Sequence, residues 1–273
     1  MTDRYAVIGN PISHSKSPQI HKMFAEQTGQ DISYEAILVP LDGFAATIKR
    51  LRNEDYKGCN VTVPFKFEAF EIAKHHLTNR AKGAQAVNTL KFEGGTIDGD
   101  NTDGAGLVRD IQQNHKFFLK ERRVLLMGAG GAAYGVVLPL FGAGAKLTVV
   151  NRTPSKAQQL FQTFAAQGDI TATTYEELKS NKQQFDMVIN ATSSGLSDDD
   201  PPDLLGTILA ENGMAYEMVY SRETKFQRFA NDNHMKISDG LGMLVEQAAE
   251  SFFIWRGVRP ETAPVIAALR QQQ

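Results

Sequence analysis

Residues 124–145 form an uncharged segment that limits what this chain can fold into. The segment is long enough to span a bilayer, but it contains six glycines and Pro139. The glycines begin directly after a compact apolar run at residues 124–127. We therefore predict a buried strand, a tight glycine turn and a buried helix here, and no membrane span.

Short apolar runs and amphipathic stretches alternate along the rest of the chain. Candidate strands lie at residues 5–8, 33–39, 58–63, 124–127, 146–150, 187–189 and 214–217. Between them, apolar residues recur at helical spacing at residues 20–27, 44–51, 132–141 and 156–166. Strands separated by helices of this length indicate right-handed βαβ crossovers. The predicted fold class is α/β, with mostly parallel sheets.

The glycine turn matches a nucleotide-binding pattern. Residues 128–133 read Gly-Ala-Gly-Gly-Ala-Ala, which fits G-x-G-x-x-G/A with alanine in the last place. A glycine-rich turn that serves only close packing is the alternative. The strand before it, the helix after it and the next strand at residues 147–150 stand where a dinucleotide site requires them. The helix N-terminus would then receive the pyrophosphate.

The end of that next strand discriminates between two cofactors. An NAD site places an acidic residue there for the ribose 2′-hydroxyl, whereas an NADP site supplies cations for the 2′-phosphate. This chain has Asn151, Arg152 and Thr153, followed by Lys156, and no carboxylate. The pattern predicts NADP. Thr153 and Pro154 also suit a plain helix start, and both interpretations can hold together.

A second ligand site is predicted in the first part of the chain. Ser15 and Ser17 follow the first strand and precede a helix start, with Ser17 as the expected N-cap, so they suit a small carboxylate. Spare serines at a helix start are the alternative. Lys66 follows the third candidate strand, and Asp103 opens a probable helix. If the two converge, they suit proton transfer at a hydroxyl beside hydride transfer. Spacing alone does not show that they do.

Composition restricts the partners and the compartment. The 29 basic and 31 acidic residues give a net charge of −2, which argues against coating nucleic acid or an anionic membrane. The single cysteine, Cys59, fits a reducing compartment. The first apolar run is too short for a signal peptide. We expect a cytoplasmic protein that acts on a small molecule and holds no metal, either as a monomer or as a homodimer.

Eight motifs in one order resemble those of shikimate dehydrogenases. They are Asn10-Pro-Ile with His14-Ser-Lys-Ser-Pro18, Asn60-Val-Thr-Val-Pro-Phe-Lys66, Ala86-Val-Asn-Thr89, Asn101-Thr-Asp-Gly104, Gly128-Ala-Gly-Gly-Ala132, Asn151-Arg-Thr153, Asn190-Ala-Thr-Ser193 and Asp239-Gly-Leu-Gly-Met243. The resemblance implies reversible, NADPH-dependent reduction of 3-dehydroshikimate to shikimate, a step towards aromatic amino acids.

The resemblance also implies roles for individual residues. Lys66 and Asp103 would form the catalytic pair, and the substrate would contact Ser15, Ser17, Thr62, Asn88, Tyr220 and Gln247. The cofactor would contact Gly128, Ala129, Gly130, Gly131, Ala132, Asn151, Arg152, Thr153, Lys156, Met218 and Gly240. The implied domains are residues 1–104 with 240–273 for the substrate and a Rossmann-type domain at 105–239 for NADP, with a cleft between them.

Four positions depart from the pattern of this family: Lys22, Asn79, Lys156 and Glu217 stand where Asn, an acidic residue, Arg and Asp are common. None is part of the implied catalytic pair. Two other functions stay open. A quinate/shikimate dehydrogenase with relaxed specificity is one, and a non-catalytic nucleotide sensor of the same fold is the other. An acidic residue near 151–153 would favour NAD use, and loss of Lys66 or Asp103 would favour the sensor.

Overall fold

The computed structural model describes residues 2–181, 183–192, 204–220 and 222–272. Its helices and strands are, in chain order, β1 (Asp3–Gly9), α1 (Ser17–Thr28), β2 (Ile32–Leu38), α2 (Phe44–Asn53), β3 (Tyr56–Val61), α3 (Lys66–Ile72), α4 (Asn79–Ala84), β4 (Thr89–Glu93), β5 (Thr96–Asp100), α5 (Asp103–Arg109), a π-helix (Asp110–Asn114), β6 (Arg123–Met127), α6 (Gly131–Gly142), β7 (Lys146–Val150), α7 (Pro154–Phe164), β8 (Ile170–Thr173), α8 (Tyr175–Asn181), β9 (Phe185–Asn190), α9 (Leu205–Ile208), β10 (Leu209–Glu217), α10 (Lys225–Asp232), β11 (Lys236–Ser238), α11 (Leu241–Arg256) and α12 (Ala263–Arg270). The fold class is α/β, as the sequence predicts.

The chain divides into two compact units. Unit 1 consists of Met1–Gly106 together with Leu244–Gln273, and unit 2 consists of Leu107–Met243. Unit 1 is therefore discontinuous in sequence, because its last helices come from the C-terminal end of the chain.

Unit 1 contains a five-stranded sheet in the order β2-β1-β3-β4-β5. Strands β1, β2 and β3 are parallel, whereas β4 is antiparallel to both β3 and β5. Strands β4 and β5 form a hairpin whose two-residue loop, Gly94 and Gly95, has positive φ at both positions. Glycine adopts that geometry without strain. Neither strand is among those predicted from the sequence.

The strand order of unit 1 places two chain segments side by side. The connections after β1 and β3 leave from neighbouring strands, because β1 lies between β2 and β3. In open parallel sheets the crevice at such a reversal of strand order, at the carboxyl edge, is where ligands bind. Ser15 and Ser17 follow β1, and Thr62 and Lys66 follow β3. The sheet therefore brings both predicted substrate segments to one edge.

Helix α11 completes the core of unit 1. Trp255 stacks on Tyr5 of β1 with ring centroids 4.6 Å apart, and its indole N–H donates to the Leu90 carbonyl at 3.0 Å. A side chain on Gly58 would collide with this indole and with the Leu90 carbonyl. Glycine at position 58 thus allows α11 to approach the sheet.

Unit 2 contains six parallel strands in the order β8-β7-β6-β9-β10-β11. Numbered from β6, this is the 3-2-1-4-5-6 order of dinucleotide-binding folds. The strands β6, β7 and β9 are buried along most of their length, so they read as continuous apolar runs. Strands β8 and β11, which are only four and three residues long, were not predicted from the sequence.

The uncharged segment 124–145 forms β6, the glycine turn and α6. Helix α6 has 12 residues and contains Pro139, and it packs Val136, Val137 and Leu140 into the core of unit 2. Within the described ranges, no helix combines the length and the apolar character needed to cross a bilayer.

Candidate active site

Lys66 and Asp103 form an ion pair at the carboxyl edge of the unit 1 sheet. Lys66 is the first residue of α3 and Asp103 the first residue of α5. The Lys66 Nζ atom lies 2.7 Å from Asp103 Oδ2, and the two side chains are 29% and 16% exposed. A charge-assisted hydrogen bond of this length fixes both ends of the pair. The structure therefore brings together the two residues predicted to be catalytic.

The Asn88 side chain completes the environment of the Asp103 carboxylate. The backbone N–H of Thr102 can only donate, so the Asn88 atom 2.9 Å away from it is Oδ1. The Asn88 Nδ2 atom consequently faces Asp103 and donates to Oδ1 at 2.8 Å. Each carboxylate oxygen thus accepts from a different side chain, Oδ1 from Asn88 and Oδ2 from Lys66.

Gln247 of α11 joins the same group of side chains. Its Oε1 atom lies 3.3 Å from Asn88 Nδ2 and 3.3 Å from the Thr102 hydroxyl, and its Nε2 atom donates to the Leu244 carbonyl at 2.9 Å. Of the residues predicted to bind substrate, Asn88 and Gln247 are in contact.

The two serines lie at the start of α1, but not as predicted. The helix begins at Ser17, and Lys16 occupies the N-cap position without a side-chain hydrogen bond. The prediction that Ser17 is the N-cap is therefore wrong, because the Lys16 carbonyl already accepts a helical bond from Ile20. The Ser15 hydroxyl accepts from the Ser17 N–H at 3.3 Å.

Thr62 lies between the ends of β1 and β3. Its backbone N–H donates to the Ile8 carbonyl at 3.0 Å, and its methyl group lies against the α-carbon of Gly9. A side chain on Gly9 would displace Thr62, so the glycine sets how closely these two strand ends approach.

The glycine turn of unit 2 has the geometry of a phosphate cradle. Gly128 has a φ of +108°, and a β-carbon there would lie 3.0 Å from the Ala191 carbonyl oxygen. Gly130 is the N-cap of α6 and is exposed, and a β-carbon there would meet no atom within 4 Å. The open space over Gly130 and the free N–H groups at the α6 N-terminus fit a pyrophosphate group. Ala129 packs beneath the turn, whereas Gly131 and Ala132 are exposed beside it.

Two cationic side chains and one amide side chain follow β7, where the ribose of a dinucleotide would bind. Arg152 and Lys156 are exposed, and Asn151 donates from Nδ2 to the Thr153 carbonyl at 3.0 Å, which shapes the turn. Burial raises the pKa of Tyr175 to about 12, and the nearby charge of Arg152 opposes this rise. Thr153 stands at the N-cap of α7, as predicted, but its hydroxyl makes no capping bond. These residues suit a 2′-phosphate.

Met218 and Gly240 lie against each other in unit 2. A side chain on Gly240 would collide with the Met218 carbonyl, and the Gly240 N–H donates to the Val219 carbonyl at 3.2 Å. Tyr220 follows in the same unit, and burial raises the pKa of its hydroxyl. Tyr220 thus belongs to unit 2, whereas the other predicted substrate residues belong to unit 1.

Known proteins match the whole chain. Residues 7–90 match the family described as shikimate dehydrogenase substrate binding domain, residues 110–197 match shikimate / quinate 5-dehydrogenase, and residues 240–270 match shikimate 5′-dehydrogenase C-terminal domain. The chain is 56% identical over 273 residues to a Nitrosospira multiformis protein named shikimate dehydrogenase (NADP(+)), with 99% of this chain and 98% of that protein covered. This chain belongs to the shikimate dehydrogenase family.

Solved structures share the fold of this chain. An Ael1 enzyme from Pseudomonas putida is 47% identical with a TM-score of 0.91, and 98% of each chain is covered. A shikimate 5-dehydrogenase from Thermus thermophilus, solved in complex with NADP(H) and shikimate, is 32% identical with a TM-score of 0.88 over all of both chains.

Glu217, which stands where the family resemblance led us to expect Asp, makes several hydrogen bonds. Its buried carboxylate accepts from Asn190 Nδ2 at 2.8 Å, from the Thr224 hydroxyl at 2.9 Å and from the Val219 N–H at 3.0 Å. Burial raises the pKa of Glu217, and these hydrogen bonds oppose the rise. The longer side chain therefore still ties β9 to the segment that carries Met218 and Tyr220. Of the predicted motif at 190–193, Ser193 lies outside the described residues.

A buried histidine lies in α1, the helix that begins at Ser17. His21 of α1 is fully buried and stacks on Tyr34, with ring centroids 4.1 Å apart and planes at 8°. Burial lowers the pKa of His21 to about 3. The imidazole is therefore neutral in the folded protein.

We expect His21 to make the folded protein sensitive to acid. Between pH 6.5, the ordinary pKa of histidine, and pH 3, the unfolded chain binds a proton that the folded protein does not. The free energy of unfolding therefore falls as the pH falls through this window, by about 2 kcal/mol between pH 7 and pH 5. Replacement of His21 by Phe should remove that part of the pH dependence. Urea unfolding followed by fluorescence of Trp255, the single tryptophan, measures it. An unchanged pH dependence in the variant would contradict the prediction.

Proposed function

We propose that this chain catalyses the NADPH-dependent, reversible reduction of 3-dehydroshikimate to shikimate. The observation that carries the proposal is the Lys66–Asp103 ion pair, held by Asn88 at the ligand-binding edge of unit 1. Membership of the shikimate dehydrogenase family supports the choice of substrate and cofactor, since relatives carry the name shikimate dehydrogenase (NADP(+)).

We assign substrate binding to residues 1–104 with 240–273 and NADP binding to residues 105–239. The boundaries between the two compact units lie close to these positions, at Gly106/Leu107 and Met243/Leu244, and support this assignment. In the first domain, Ser15, Ser17 and Thr62 bind the substrate carboxylate, and Asn88 and Gln247 bind ring hydroxyls. Tyr220 adds a hydroxyl contact to the substrate.

The cofactor site is assigned to the glycine turn and the two loops beside it. The pyrophosphate binds over Gly128, Ala129, Gly130, Gly131 and Ala132. The adenosine 2′-phosphate binds Arg152, Thr153 and Lys156, with Asn151 shaping the turn. Met218 and Gly240, which lie in contact, bind the remaining part of the cofactor.

Lys66 handles the proton. NADPH, when bound, supplies the hydride that adds to the substrate carbonyl carbon. As that carbon is reduced, the Lys66 ammonium gives a proton to the carbonyl oxygen, which becomes the hydroxyl of shikimate. Asp103 accepts a hydrogen bond from Lys66 and holds Nζ in place. The Lys66 side chain is 29% exposed, so water can return the proton to the amine. In oxidation the same groups act in reverse.

A spectrophotometric assay of NADP+ reduction tests the proposal, with shikimate and quinate in parallel. We expect reduction with shikimate and much slower reduction with quinate. Comparable rates would indicate a quinate/shikimate dehydrogenase, for which the match to the shikimate / quinate family is the supporting observation. No reduction with either substrate would indicate the nucleotide sensor. The oligomeric state, monomer or homodimer, stays a prediction, and light scattering distinguishes the two.

The turn at 151–156 should discriminate between cofactors. Since it offers cations and no carboxylate, we expect NADP+ to bind at least about tenfold more tightly than NAD+, a difference of about 1.4 kcal/mol. Arg152→Ala should weaken NADPH binding by a similar factor and leave NADH binding nearly unchanged, because NADH lacks the 2′-phosphate. Titration of the nicotinamide fluorescence measures both dissociation constants.

Arg123→Ala is the matched control for the Arg152 experiment. Arg123 is also exposed and in unit 2, but it begins β6 and so lies at the sheet edge opposite to the glycine turn. This variant should bind both cofactors as the unsubstituted protein does. An equal loss of NADPH and NADH binding in Arg152→Ala would show that Arg152 supports the loop and does not bind the phosphate.

A further inference from the structure

Three buried hydroxyls meet behind Asn88 in unit 1, and no predicted role uses them. They belong to Thr89 of β4, Thr102 before α5 and Ser251 of α11, each at most 1% exposed. The Ser251 oxygen lies 2.8 Å from the Thr89 oxygen and 3.2 Å from the Thr102 oxygen. Hydroxyls in a dry interior keep fixed partners, because an unsatisfied one is destabilising.

The hydrogen-bond directions in this group can be worked out from two backbone atoms. The Asn88 carbonyl oxygen can only accept, so the Asn60 atom 3.2 Å from it is Nδ2. The same Nδ2 atom lies 2.9 Å from the Ser251 oxygen and 3.1 Å from the Thr89 oxygen, and it donates to Ser251, the nearer of the two. At the other end, the Thr102 N–H fixes Asn88 Oδ1 as an acceptor, so the Thr89 hydroxyl 2.9 Å away donates to it.

Since the Thr89 proton points to Asn88, Ser251 donates in its 2.8 Å contact with Thr89, which is shorter than its 3.1 Å approach to the Gln247 carbonyl. The bonds then all run one way: Asn60 donates to Ser251, Ser251 to Thr89, Thr89 to Asn88, and Asn88 to Asp103. Bonds aligned head to tail polarise one another and strengthen. The chain of bonds ends on the carboxylate that holds Lys66.

We propose that Thr89 and Ser251 are positioning residues for the catalytic pair. They hold the Asn88 amide in the one orientation that gives Asp103 Oδ1 a donor and leaves Oδ2 to Lys66. In the reversed orientation, Asn88 would direct an oxygen at a carboxylate oxygen 2.8 Å away and a donor at the Thr102 N–H. The catalytic consequence rests on the function proposed above, whereas the orientation of Asn88 does not.

Two substitutions at position 89 separate the hydroxyl from the shape of the side chain. Thr89→Val keeps the branched shape and removes the hydroxyl, and Thr89→Ser keeps the hydroxyl and removes the methyl group. We expect Thr89→Val to lower kcat for shikimate oxidation by about tenfold, the scale of one lost hydrogen bond. Thr89→Ser should stay within about twofold of the unsubstituted protein, and Ser251→Ala should show a smaller loss than Thr89→Val. The dissociation constant of shikimate, measured by calorimetry without cofactor, should change less than kcat.

Thr96→Val is the matched control. Thr96 lies at the far end of the same hairpin, where its hydroxyl donates to the Glu93 carbonyl at 2.8 Å. This variant should keep kcat, and circular dichroism should show the same fold in every variant. A kcat within twofold of normal in Thr89→Val, or an equal loss in Thr89→Ser, would overturn the proposal, since packing alone would then explain the site.

A second measurement does not depend on the reaction. In ¹⁵N-labelled protein the two Asn88 side-chain amide protons, assigned by their absence in Asn88→Ser, should exchange slowly with solvent. They should exchange at least about tenfold faster in Thr89→Val and remain slow in Thr96→Val. Equal exchange in all three proteins would show that Thr89 does not hold the amide. If exchange responds as expected but shikimate is not oxidised by the unsubstituted protein, the proposed function fails and the positioning of Asn88 stands.

Discussion

Lys66→Ala is expected to lower kcat for shikimate oxidation by about a hundredfold or more. The reason is that Nζ is the group that exchanges a proton with the substrate oxygen, and such groups contribute on this scale. Lys66→Arg should not restore the rate, because a guanidinium does not release its proton near neutral pH. Affinity for NADPH should stay close to normal, since Lys66 belongs to unit 1 and the assigned phosphate cradle to unit 2. Steady-state kinetics and a fluorescence titration of NADPH measure the two quantities.

Lys74→Ala serves as the control for Lys66→Ala. Lys74 is exposed and follows the C-terminal end of the same helix, α3, so its loss should leave kcat unchanged. Circular dichroism at the assay temperature separates a catalytic loss from unfolding. If Lys66→Ala keeps a nearly normal kcat, proton transfer must be assigned to Asp103, and Asp103→Asn becomes the decisive variant.

Gly130→Val should weaken NADPH binding by about a hundredfold. A β-carbon at Gly130 meets no protein atom within 4 Å, so the side chain can be added without disturbing the turn. It would occupy the open space in which a pyrophosphate approaches the backbone, and would separate the phosphates from the N–H groups of α6. The loss of two hydrogen bonds to a charged group, each worth about 1.5 kcal/mol, corresponds to this factor.

Gly142→Val provides the matched comparison for Gly130→Val. Gly142 ends the same helix, is exposed, and would likewise offer open space to a β-carbon. Both variants should fold, and only Gly130→Val should lose NADPH. Shikimate binding without cofactor should be normal in both. Normal NADPH binding in Gly130→Val would mean that the phosphates do not lie over this turn.

The central strands of unit 2 were predictable because their burial is uniform. A strand covered on both faces, such as β6 or β9, reads as a continuous apolar run. The hairpin of β4 and β5 was not predictable in this way. Strand β5 has the sequence Thr-Ile-Asp-Gly-Asp and only its last two residues are buried. Its polar composition resembles a loop, and its pairing with β4 supplies the stability that its own residues do not indicate.

The candidate site was predictable in part, for a similar reason. Lys66 and Ser15 follow buried strands, so the rule that ligands bind at the carboxyl edge of a parallel sheet already places them together. Their precise partners depend on how distant segments pack. Ser251 reaches Thr89 across 162 positions of sequence, through the packing of α11 on the sheet. No local pattern distinguishes this serine from any other helical serine, so only the structure identifies it.

The discontinuity of unit 1 affects the order in which the protein can form during synthesis. Domains generally fold as units, the N-terminal one first. Here the ribosome releases β1 through β5 long before α11, which supplies Trp255 to cover Tyr5 and Ser251 to contact Asn60. Unit 2 is continuous and has all of its strands once β11 has emerged. The nascent chain therefore completes its second unit first, and the carboxyl edge that carries Lys66 and Asp103 acquires its final packing only after α11 has emerged.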